Sequence, residues 1–448
     1  MKRLTITSQP CHLLAASAEG HQPATTYPRA IRIGSSLLVA YTEFSPSCQK
    51  IVIGMSNLNS VVQSGFRPIG MVDQTRANDL DNAILLMTAS PATTSPEDGK
   101  RLLCFFRNHS RKTDGFECYR ITCCHSEDGG QSWRFLSEPA CRPAHAPWPA
   151  HPIARLGEQA IGPKTERTGG LWEPFARLDR SGHIQLYYAD EQSPSMQTIV
   201  RKISRDHGKT WSAPIEIYRP LKDERMGMPS IAEVTLAKGA KMLVMTIENM
   251  REGHFVIQTL RSTDDGQTWS DCQTIYSPAD GHNAGAPFAL GLPHGQFAES
   301  NDGDVKSKKG MARWIDRLAN GRAAITEPAI AVAFMTDEDT KRRCWFEGAS
   351  LKIIVARLII TSSKSLPKLQ WQSRPTLICP PQTTWPGLVA LEGDAMLVLF
   401  APHIRLAPCM SRAERTDHLL VANWHAVGLC SPTVRPKIRF RFGLVRPA

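Results

Sequence analysis

Three eight-residue segments of nearly the same pattern decide the fold: residues 126–133 (SEDGGQSW), 204–211 (SRDHGKTW) and 262–269 (STDDGQTW). Each segment lies between two strand-like stretches, so each is predicted to be the turn of a β-hairpin. In such a turn the Asp side chain accepts hydrogen bonds from backbone N–H groups, and Gly supplies a positive φ. We therefore predict a structural role for Ser126, Asp128, Gly130 and Trp133, for Ser204, Asp206, Gly208 and Trp211, and for Ser262, Asp264, Gly266 and Trp269.

The repeats also set the size of the structural unit. Their first residues are 78 and 58 positions apart, which is about what a four-stranded sheet with its loops requires. Strand-like alternation continues in residues 27–54, 285–371 and 385–400, with degenerate turns near Ser56 and Ser362. Helical periodicity is scarce. The sequence therefore predicts an all-β fold, a six-bladed β-propeller of four-stranded antiparallel blades.

We divide the chain into an N-terminal segment (1–25), a propeller (26–401) and a basic tail (402–448). An insert at about 292–327 interrupts the propeller, because this stretch lacks strand alternation and is much longer than a hairpin needs. The tail carries neither a repeat nor clear alternation at the point where the last blade should close. The last blade is therefore expected to be incomplete, with exposed strand edges, and the tail is expected to be an altered C-terminus.

Composition excludes several classes of function. The net charge of the 448 residues is +11, but more than half of this excess follows Pro402, and no basic run alternates with aromatic residues as in a nucleic-acid groove. No window of about 18 apolar residues could span a membrane. The twelve cysteines form no C-x-x-C pair, and phosphate-binding and metalloprotease motifs are absent. We expect a monomer without nucleic-acid partner, membrane span, metal or cofactor.

The three repeats resemble those of the sialidase-like propeller superfamily, whose BNR repeats are also called Asp-boxes, and the resemblance spans residues 27–400. Within it, further segments resemble glycoside hydrolase family 93, the exo-α-1,5-L-arabinanases. These segments are 27–29 (YPR), 81–83 (DNA), 106–109 (FRNH), 171–175 (LWEPF), 185–191 (QLYYADE), 283–287 (NAGAP), 334–339 (FMTDED) and 385–387 (WPG). The resemblance implies an exo-acting glycosidase of arabinan-like substrates and a secreted protein. The N-terminus resembles a secretory signal only weakly, so the compartment stays open.

Hydrolysis of a glycosidic bond requires an acid that protonates the leaving oxygen and a carboxylate on the other side of the sugar. Glu173 lies between Trp172 and Pro174, where desolvation would raise its pKa as a general acid requires. The resemblance implies that Glu173 is the acid/base and that Glu248, after an apolar strand, is the nucleophile. Glu233 is the alternative nucleophile.

Polar residues at strand ends in several blades are candidate substrate contacts, with turn or inter-blade bonds as the alternative role. The candidates are Arg29, Asp81, Asn82, Arg107, Asn108, His109, Tyr188, Asp190, Glu191, Glu233, Asn283 and Asp337. Because neighbouring residues of a strand face opposite sides, only one of Tyr187 and Tyr188 is expected to contact a ligand.

Two alternative functions remain open from the sequence. A sialidase needs three arginines that clamp a carboxylate. Arg29 and Arg107 could supply two of them, but no third is evident, and Ala30 follows Arg29 where the sialidase motif has Arg-Ile-Pro. The other alternative is a carbohydrate-binding or degenerate propeller without turnover, which would follow if Glu173 and Glu248 do not converge. A carboxyl separation of about 5–5.5 Å indicates a retaining enzyme, and one of about 6.5–9.5 Å an inverting enzyme.

Overall fold

A computed structural model describes residues 6–12, 24–45, 48–89, 100–112, 115–144, 169–219, 223–236, 240–279, 281–292, 324–340, 345, 348–360, 367–391, 396–402 and 426–430. Within these residues the chain is almost entirely β-strand, with one short helix. The all-β prediction is confirmed. Among the described residues, no helix is long and apolar enough to cross a membrane.

The first half of the chain forms two four-stranded antiparallel sheets after an N-terminal strand that belongs to the last sheet. That strand is β1 (Ile6–His12). The first sheet contains β2 (Ala24–Ile33), β3 (Ser36–Ser45), β4 (Cys48–Asn57), the helix α1 (Val61–Ser64) and β5 (Arg67–Thr75). The second contains β6 (Asn78–Ala89), β7 (Lys100–Lys112), β8 (Gly115–Ser126) and β9 (Arg134–Pro143). In both sheets, strands that are consecutive in the chain are also neighbours.

The third sheet has eight strands and consists of two four-stranded halves. One half contains β10 (Leu171–Leu178), β11 (Ile184–Ser193), β12 (Met196–Ser204) and β13 (Ile215–Tyr218). The other contains β14 (Arg225–Thr235), β15 (Lys241–Arg251), β16 (His254–Ser262) and β17 (Ser270–Tyr276). The halves are joined by one parallel pair, Gln197 with Arg225, whereas all other pairs are antiparallel. Each half is therefore equivalent to one of the preceding sheets.

Two more sheets complete the described structure. The fourth contains β18 (Ala284–Gly291), β19 (Ala324–Thr336), β20 (Ser350–Ile360), β21 (Lys368–Trp371) and β22 (Thr376–Cys379). The fifth contains β23 (Thr383–Ala390), β24 (Met396–Pro402) and β25 (Ala426–Cys430), and β1 pairs with β25 as its outermost strand. Strand β19 begins inside the predicted insert. Residues 293–323 and 361–366, which hold the rest of the insert and a predicted degenerate turn, lie outside the described residues.

The last sheet joins both ends of the chain. Its four strands include β1 and β25, which the expected boundaries at residues 26 and 401 left outside the propeller. The expectation of an incomplete last blade therefore fails for the described strands, because β25 and β1 complete a four-stranded sheet. Pairing of strands from both termini closes a circular arrangement without leaving β24 as an exposed edge.

The first strands of the four-stranded units form a closed ring. Strand β2 contacts β6, β6 contacts β10, β10 contacts β14, β14 contacts β18, β18 contacts β23, and β23 contacts β2 again. Because the strands within each unit are antiparallel, the turns alternate between the two faces of the ring. The starts of the first strands therefore lie on one face, and the turns between third and fourth strands lie on the other.

Apolar side chains fill the space between neighbouring sheets. Leu38 and Ile53 of the first sheet pack with Leu85 and Phe106 of the second in one buried cluster. Burying such a side chain contributes on the order of 1.5–3 kcal/mol. This apolar packing between faces contributes to holding adjacent units together.

The three repeats form turns between third and fourth strands, and their geometry is the same each time. In the second repeat, Ser204 Oγ donates to Asp206 Oδ1 at 2.8 Å, the Gly208 N–H donates to Ser204 Oγ at 2.8 Å, and the Thr210 N–H donates to Asp206 Oδ1 at 2.9 Å. Gly208 has φ +89°, as the turn requires. These bonds are those of a hairpin turn, and the turns lie on the face opposite to the starts of the first strands.

Candidate active site

Each strand of the inner ring carries a β-bulge near its start. The register shifts after Thr26, Asp81, Trp172, Gly227, Gly285 and Thr384. The next residue has a left-handed backbone in every case, with φ between +48° and +56°. We call these the bulge residues: Tyr27, Asn82, Glu173, Met228, Ala286 and Trp385. A left-handed conformation costs a residue other than glycine on the order of 1 kcal/mol, and such strain concentrates at functional sites.

The sequence after the bulge residues explains why the strands bulge there. Proline follows five of them, and Ala83 follows Asn82. Proline cannot donate a hydrogen bond to a neighbouring strand, so it is found in strands mainly at edges and bulges. The recurring proline is thus a sequence signal for the inner face of each first strand.

A small open cavity lies among the bulges. Its wall combines aromatic rings with a few polar groups, a typical composition for a ligand site. The lining residues are Tyr27, Arg29, Asn82, Ala83, Ile84, Glu173, Pro174, Phe175, Met228, Pro229, Ser230, Pro287 and Phe288. The cavity therefore draws on the first strands β2, β6, β10, β14 and β18.

Glu173 is itself a bulge residue within β10, and not in a loop before a strand. Its Oε2 accepts a hydrogen bond from the Met228 N–H at 2.7 Å. Desolvation by burial raises the pKa of Glu173, and the Met228 N–H and the charges of Arg107 and Arg225 oppose this shift in part. The predicted raised pKa at this position is supported by that environment.

Glu248 approaches the same point from the second strand of the next unit, within β15 and opposite Gly227. Its Oε2 accepts a hydrogen bond from the Ala286 N–H at 2.8 Å. Burial, followed by repulsion from Glu173, raises the pKa of Glu248 to about 8. Among the described residues no cation stabilises the Glu248 carboxylate, whereas Arg107 and Arg225 stabilise that of Glu173.

The two carboxyl groups meet across Gly227. A Cβ atom at Gly227 would lie 3.1 Å from Glu173 Oε2 and 3.3 Å from Glu248 Oε1, which bounds the distance between these two oxygens at 6.4 Å. Two carboxyl groups this close cannot both ionise without mutual repulsion, so the pair favours a shared proton. Their convergence makes the pair competent for chemistry that needs one acid and one carboxylate.

Arg107 and Asp81 form a buried network beside Glu173. Arg107 Nη2 lies 3.1 Å from Asp79 Oδ2 and 3.5 Å from Asp81 Oδ2. Asp81 Oδ1 also accepts hydrogen bonds from Thr26 and Thr42. Both predicted residues thus act near the cavity through other residues and do not line it.

Arg29 and Asn82 do line the cavity. Arg29 Nη1 donates to the carbonyl oxygens of Pro28 and Trp385 at 3.0 and 3.2 Å, which ties β2 to β23. Burial lowers the pKa of Arg29 to about 10. The buried Oδ1 of Asn82 has no hydrogen-bond partner in the described part of the chain, so it is available to a ligand hydroxyl.

Glu191 and Arg225 support the bulge at Met228. Glu191 forms a short ion pair with Arg225, which also donates to Gln197 Oε1 at 3.0 Å. Gln197 in turn donates to the Met226 carbonyl oxygen at 2.8 Å. This chain of polar contacts holds the strand that carries the Met228 N–H.

Three predicted contacts are wrong because their side chains lie elsewhere. Tyr188 is 2% exposed and packs in a hydrophobic core with Tyr187 buried beside it, so neither reaches a ligand. Asp190 forms an ion pair with Arg142 at 2.7 Å. Glu233 is exposed near the other end of β14 and pairs with Lys241, which removes it as the alternative nucleophile.

Four further candidates serve local structure. Asn108 accepts a hydrogen bond from Asn78, and the fully buried His109 bonds to the Leu171 carbonyl through Nε2. The Asn283 N–H donates to Asp337 Oδ1 at 2.7 Å, and Asn283 Oδ1 accepts from the Phe255 N–H. These are the turn and inter-strand bonds that were the alternative role for these residues. In the described ranges, no group of three or more His, Cys, Asp or Glu residues is placed to hold a metal ion.

Sequence reasoning missed the residues that complete the site. Tyr27, Phe175 and Phe288 supply its aromatic wall, and Gly227 and Gly285 give the carboxylates room. The signal available for them was the recurrence of an X-Pro pair at the start of one strand in nearly every unit.

Comparisons with known proteins agree with this architecture. The BNR/Asp-box repeat family matches residues 202–213. No curated protein sequence matches the chain. A Penicillium chrysogenum α-L-arabinanase solved with arabinobiose is 16% identical, with a TM-score of 0.54, and covers 95% of this chain and 99% of that one. The α-L-arabinofuranosidase Arb93A from Fusarium graminearum, solved with an iminosugar inhibitor, is 15% identical, with a TM-score of 0.54 and coverages of 94% and 98%.

A more distant structure is the NanB sialidase from Streptococcus pneumoniae, which is 12% identical, with a TM-score of 0.51 and coverages of 94% and 70%. The chain therefore contains a BNR/Asp-box repeat and has the sialidase-like β-propeller fold. Within that fold it resembles the arabinan-degrading enzymes of glycoside hydrolase family 93.

Proposed function

We propose that the protein is a glycoside hydrolase that acts exo on an arabinan-like oligo- or polysaccharide. One observation carries the proposal: Glu173, which lines the cavity, and Glu248, which lies across Gly227 from it, have oxygens no more than 6.4 Å apart. This bound, which applies to one pair of oxygens, accommodates the carboxyl separation of about 5–5.5 Å of a retaining enzyme. It favours a retaining reaction with a covalent glycosyl-enzyme intermediate.

In the proposed reaction, Glu173 protonates the leaving oxygen while Glu248 attacks the anomeric carbon. Glu173 then removes a proton from water, which displaces Glu248 from the sugar and restores both groups. The Oδ1 of Asn82 accepts a hydrogen bond from a sugar hydroxyl. Tyr27 and Phe288 contact the apolar face of the sugar ring. The water-excluding aromatic wall keeps these interactions strong.

The assignment of Glu173 as acid rests on the sequence resemblance, whereas the charges around the two carboxyl groups favour the proton on Glu248. Arg107 and Arg225 stabilise a carboxylate at Glu173, and Glu248 lacks such a partner. Azide rescue separates the two assignments, because rescue of a variant that lacks the acid/base yields a glycosyl azide of retained configuration, whereas rescue of a variant that lacks the nucleophile yields the inverted configuration.

We also propose that the propeller has six blades and that the protein is a monomer. The ring of first strands β2, β6, β10, β14, β18 and β23 supports the blade count. In this scheme the eight-stranded sheet is two blades joined at Gln197 and Arg225. Sedimentation velocity of the full chain tests the oligomeric state.

The test of function is product analysis on linear arabinan for the parent protein, Glu173→Gln and Glu248→Gln. We expect short arabinose products from the parent and a loss of at least about 10³-fold in both variants. Glu233→Gln is the matched control, because Glu233 is exposed on the other side of the molecule and should leave turnover unchanged.

Sialoside hydrolysis is measured in parallel as the alternative function. Arg107 is held by two carboxylates, which disfavours a role as a substrate clamp. Turnover of a sialoside but not of arabinan would contradict the arabinan-like substrate. Glycan binding without any turnover would contradict the hydrolase itself.

A further inference from the structure

The two catalytic candidates are held in the same way by two short segments. Residues 227–229 read Gly-Met-Pro, and residues 285–287 read Gly-Ala-Pro. Each segment starts a bulge in a first strand, and the bulge residue donates its backbone N–H to a carboxylate. Met228 donates to Glu173 at 2.7 Å, and Ala286 donates to Glu248 at 2.8 Å.

Each glycine lies against the carboxylate that it faces, most closely at Gly285. A Cβ at Gly227 would press on both Glu173 Oε2 and Glu248 Oε1, at 3.1 and 3.3 Å. A Cβ at Gly285 would overlap with Glu248 Oε2 and lie 2.9 Å from the Trp345 ring. In the other four first strands, larger residues occupy this position: Thr26, Asp81, Trp172 and Thr384.

The left-handed bulge residue turns the N–H out of the strand ladder. Apart from the pair Gln197 and Arg225, a first strand is paired along one side only in the described structure. Alternate N–H groups therefore lie outside its ladder, and the bulge determines which N–H faces the carboxylate. Proline then follows, and its missing N–H removes a competing donor at the interruption. The glycine thus makes room for the carboxylate, the bulge residue donates the N–H, and the proline offers no competing donor.

We propose that these two Gly-x-Pro segments are carboxylate cradles, in which the glycine admits a catalytic carboxylate and the bulge N–H fixes its position. The proposal rests on the proposed function, because it assigns Met228 and Ala286 as positioning residues for that reaction. Their contribution comes from the backbone, so it is independent of the side chain that each residue carries. A carboxylate is fixed in place before substrate arrives, which is the condition for efficient attack.

The test replaces one N–H with an ester oxygen by incorporating lactic acid in place of Ala286. Loss of the hydrogen bond to a charged group should lower kcat/KM about ten- to hundredfold. It should also raise the apparent pKa in the limb of the pH–rate profile that reports Glu248, because the N–H stabilises the charged form of this carboxyl. Replacing Met228 with its α-hydroxy analogue should do the same for Glu173, and gives a second test if the first variant folds poorly.

Ala289 offers a matched control in the same strand β18. Its N–H donates to the neutral Ser230 Oγ at 3.0 Å, so lactic acid at Ala289 makes the same chemical change without removing a bond to a carboxylate. We expect a lower melting temperature but no shift of the pH limb. If the Ala286 and Ala289 esters show the same apparent pKa in their pH–rate profiles, the cradle proposal is wrong.

A readout without turnover separates this proposal from the proposed function. Carboxyl ¹³C shifts of labelled glutamate follow the titration of Glu173 and Glu248 directly. If the parent protein hydrolyses no glycan, the proposed function fails, and a titration of Glu248 that moves upward in the Ala286 ester still supports the cradle. A titration that does not move contradicts the cradle, whatever the activity.

Discussion

The two faces of the propeller repeat in different ways. On one face the three Asp-boxes repeat a sequence, and Ser204, Asp206 and Gly208 make the same bonds as their counterparts. On the other face the bulge residues repeat a backbone conformation while their side chains differ completely. Repeated side chains therefore mark the scaffold, and a repeated backbone with varied side chains marks the site, because a reaction centre needs a different group at each position.

A substitution on the face that carries the bulge residues should have the largest effect on activity. In Gly285→Ala, the new methyl group would overlap with Glu248 Oε2, so the carboxylate must move. A shift of about 1 Å in a catalytic group can cost about 10²-fold in rate, and we expect a loss of that order in kcat/KM on arabinan.

Gly34→Ala is the matched control for this substitution. Gly34 has φ +58° and open space around it, in the tight turn between β2 and β3. Alanine there should cost about 1 kcal/mol of stability with kcat/KM unchanged. Comparable kinetic losses in the two variants would show that crowding at Glu248 is not the cause.

The second prediction concerns the pH dependence of folding stability, and it follows from the buried pair Glu173 and Glu248. The folded-state pKa of Glu248 is raised from 4.5 to about 8, so the folded protein binds more protons than the unfolded chain within this window. Stability should therefore be highest below pH 4.5, as far as this group is concerned, and fall as the pH rises toward 8. Urea unfolding at pH 5 and pH 8 measures the difference.

Glu248→Gln should flatten this pH dependence, because it removes the group that gains a charge. Glu233→Gln should leave the dependence unchanged, since Glu233 is exposed and paired with Lys241. A slope that is the same in the parent protein and in Glu248→Gln would contradict the buried pair as its source.

The sequence predicted the fold better than the site. The Asp-boxes act through local contacts, within five residues, so their bonds can be inferred from the printed pattern alone. Glu173 and Glu248 could be proposed because the two-carboxylate reaction and the family resemblance limited the choice. Tyr188 and Asp190 could not be assigned, because strand alternation does not say which side of a strand faces the axis and which faces the next sheet.

The closure of the ring was also beyond the sequence. Strands β1 and β25 are short, and their pairing links residues more than 400 positions apart, which no local periodicity reports. The cradles were missed for a related reason. A Gly-x-Pro segment can position a carboxylate only when a glutamate of a neighbouring unit faces it. That contact depends on how the units are arranged in the ring.

The smallest expected effect lies on the Asp-box face. Asp206→Ala removes the acceptor of hydrogen bonds from Ser204 and the Thr210 backbone, and should cost about 1–2 kcal/mol of unfolding free energy. Burial raises the pKa of Asp206, but hydrogen bonds from Thr210 and Ser204 outweigh this effect and lower the pKa to about 2. The contribution of Asp206 to stability should therefore be lost as the pH falls from 3.8 toward 2.

Asp206→Asn keeps one side-chain oxygen and should fall between the parent and Asp206→Ala in urea unfolding. Because the box lies on the face opposite to the cavity, kcat/KM on arabinan should be unchanged in both variants at temperatures where they remain folded. A kinetic loss that exceeds the unfolded fraction would mean that the two faces are coupled, and that the Asp-boxes do more than support the site.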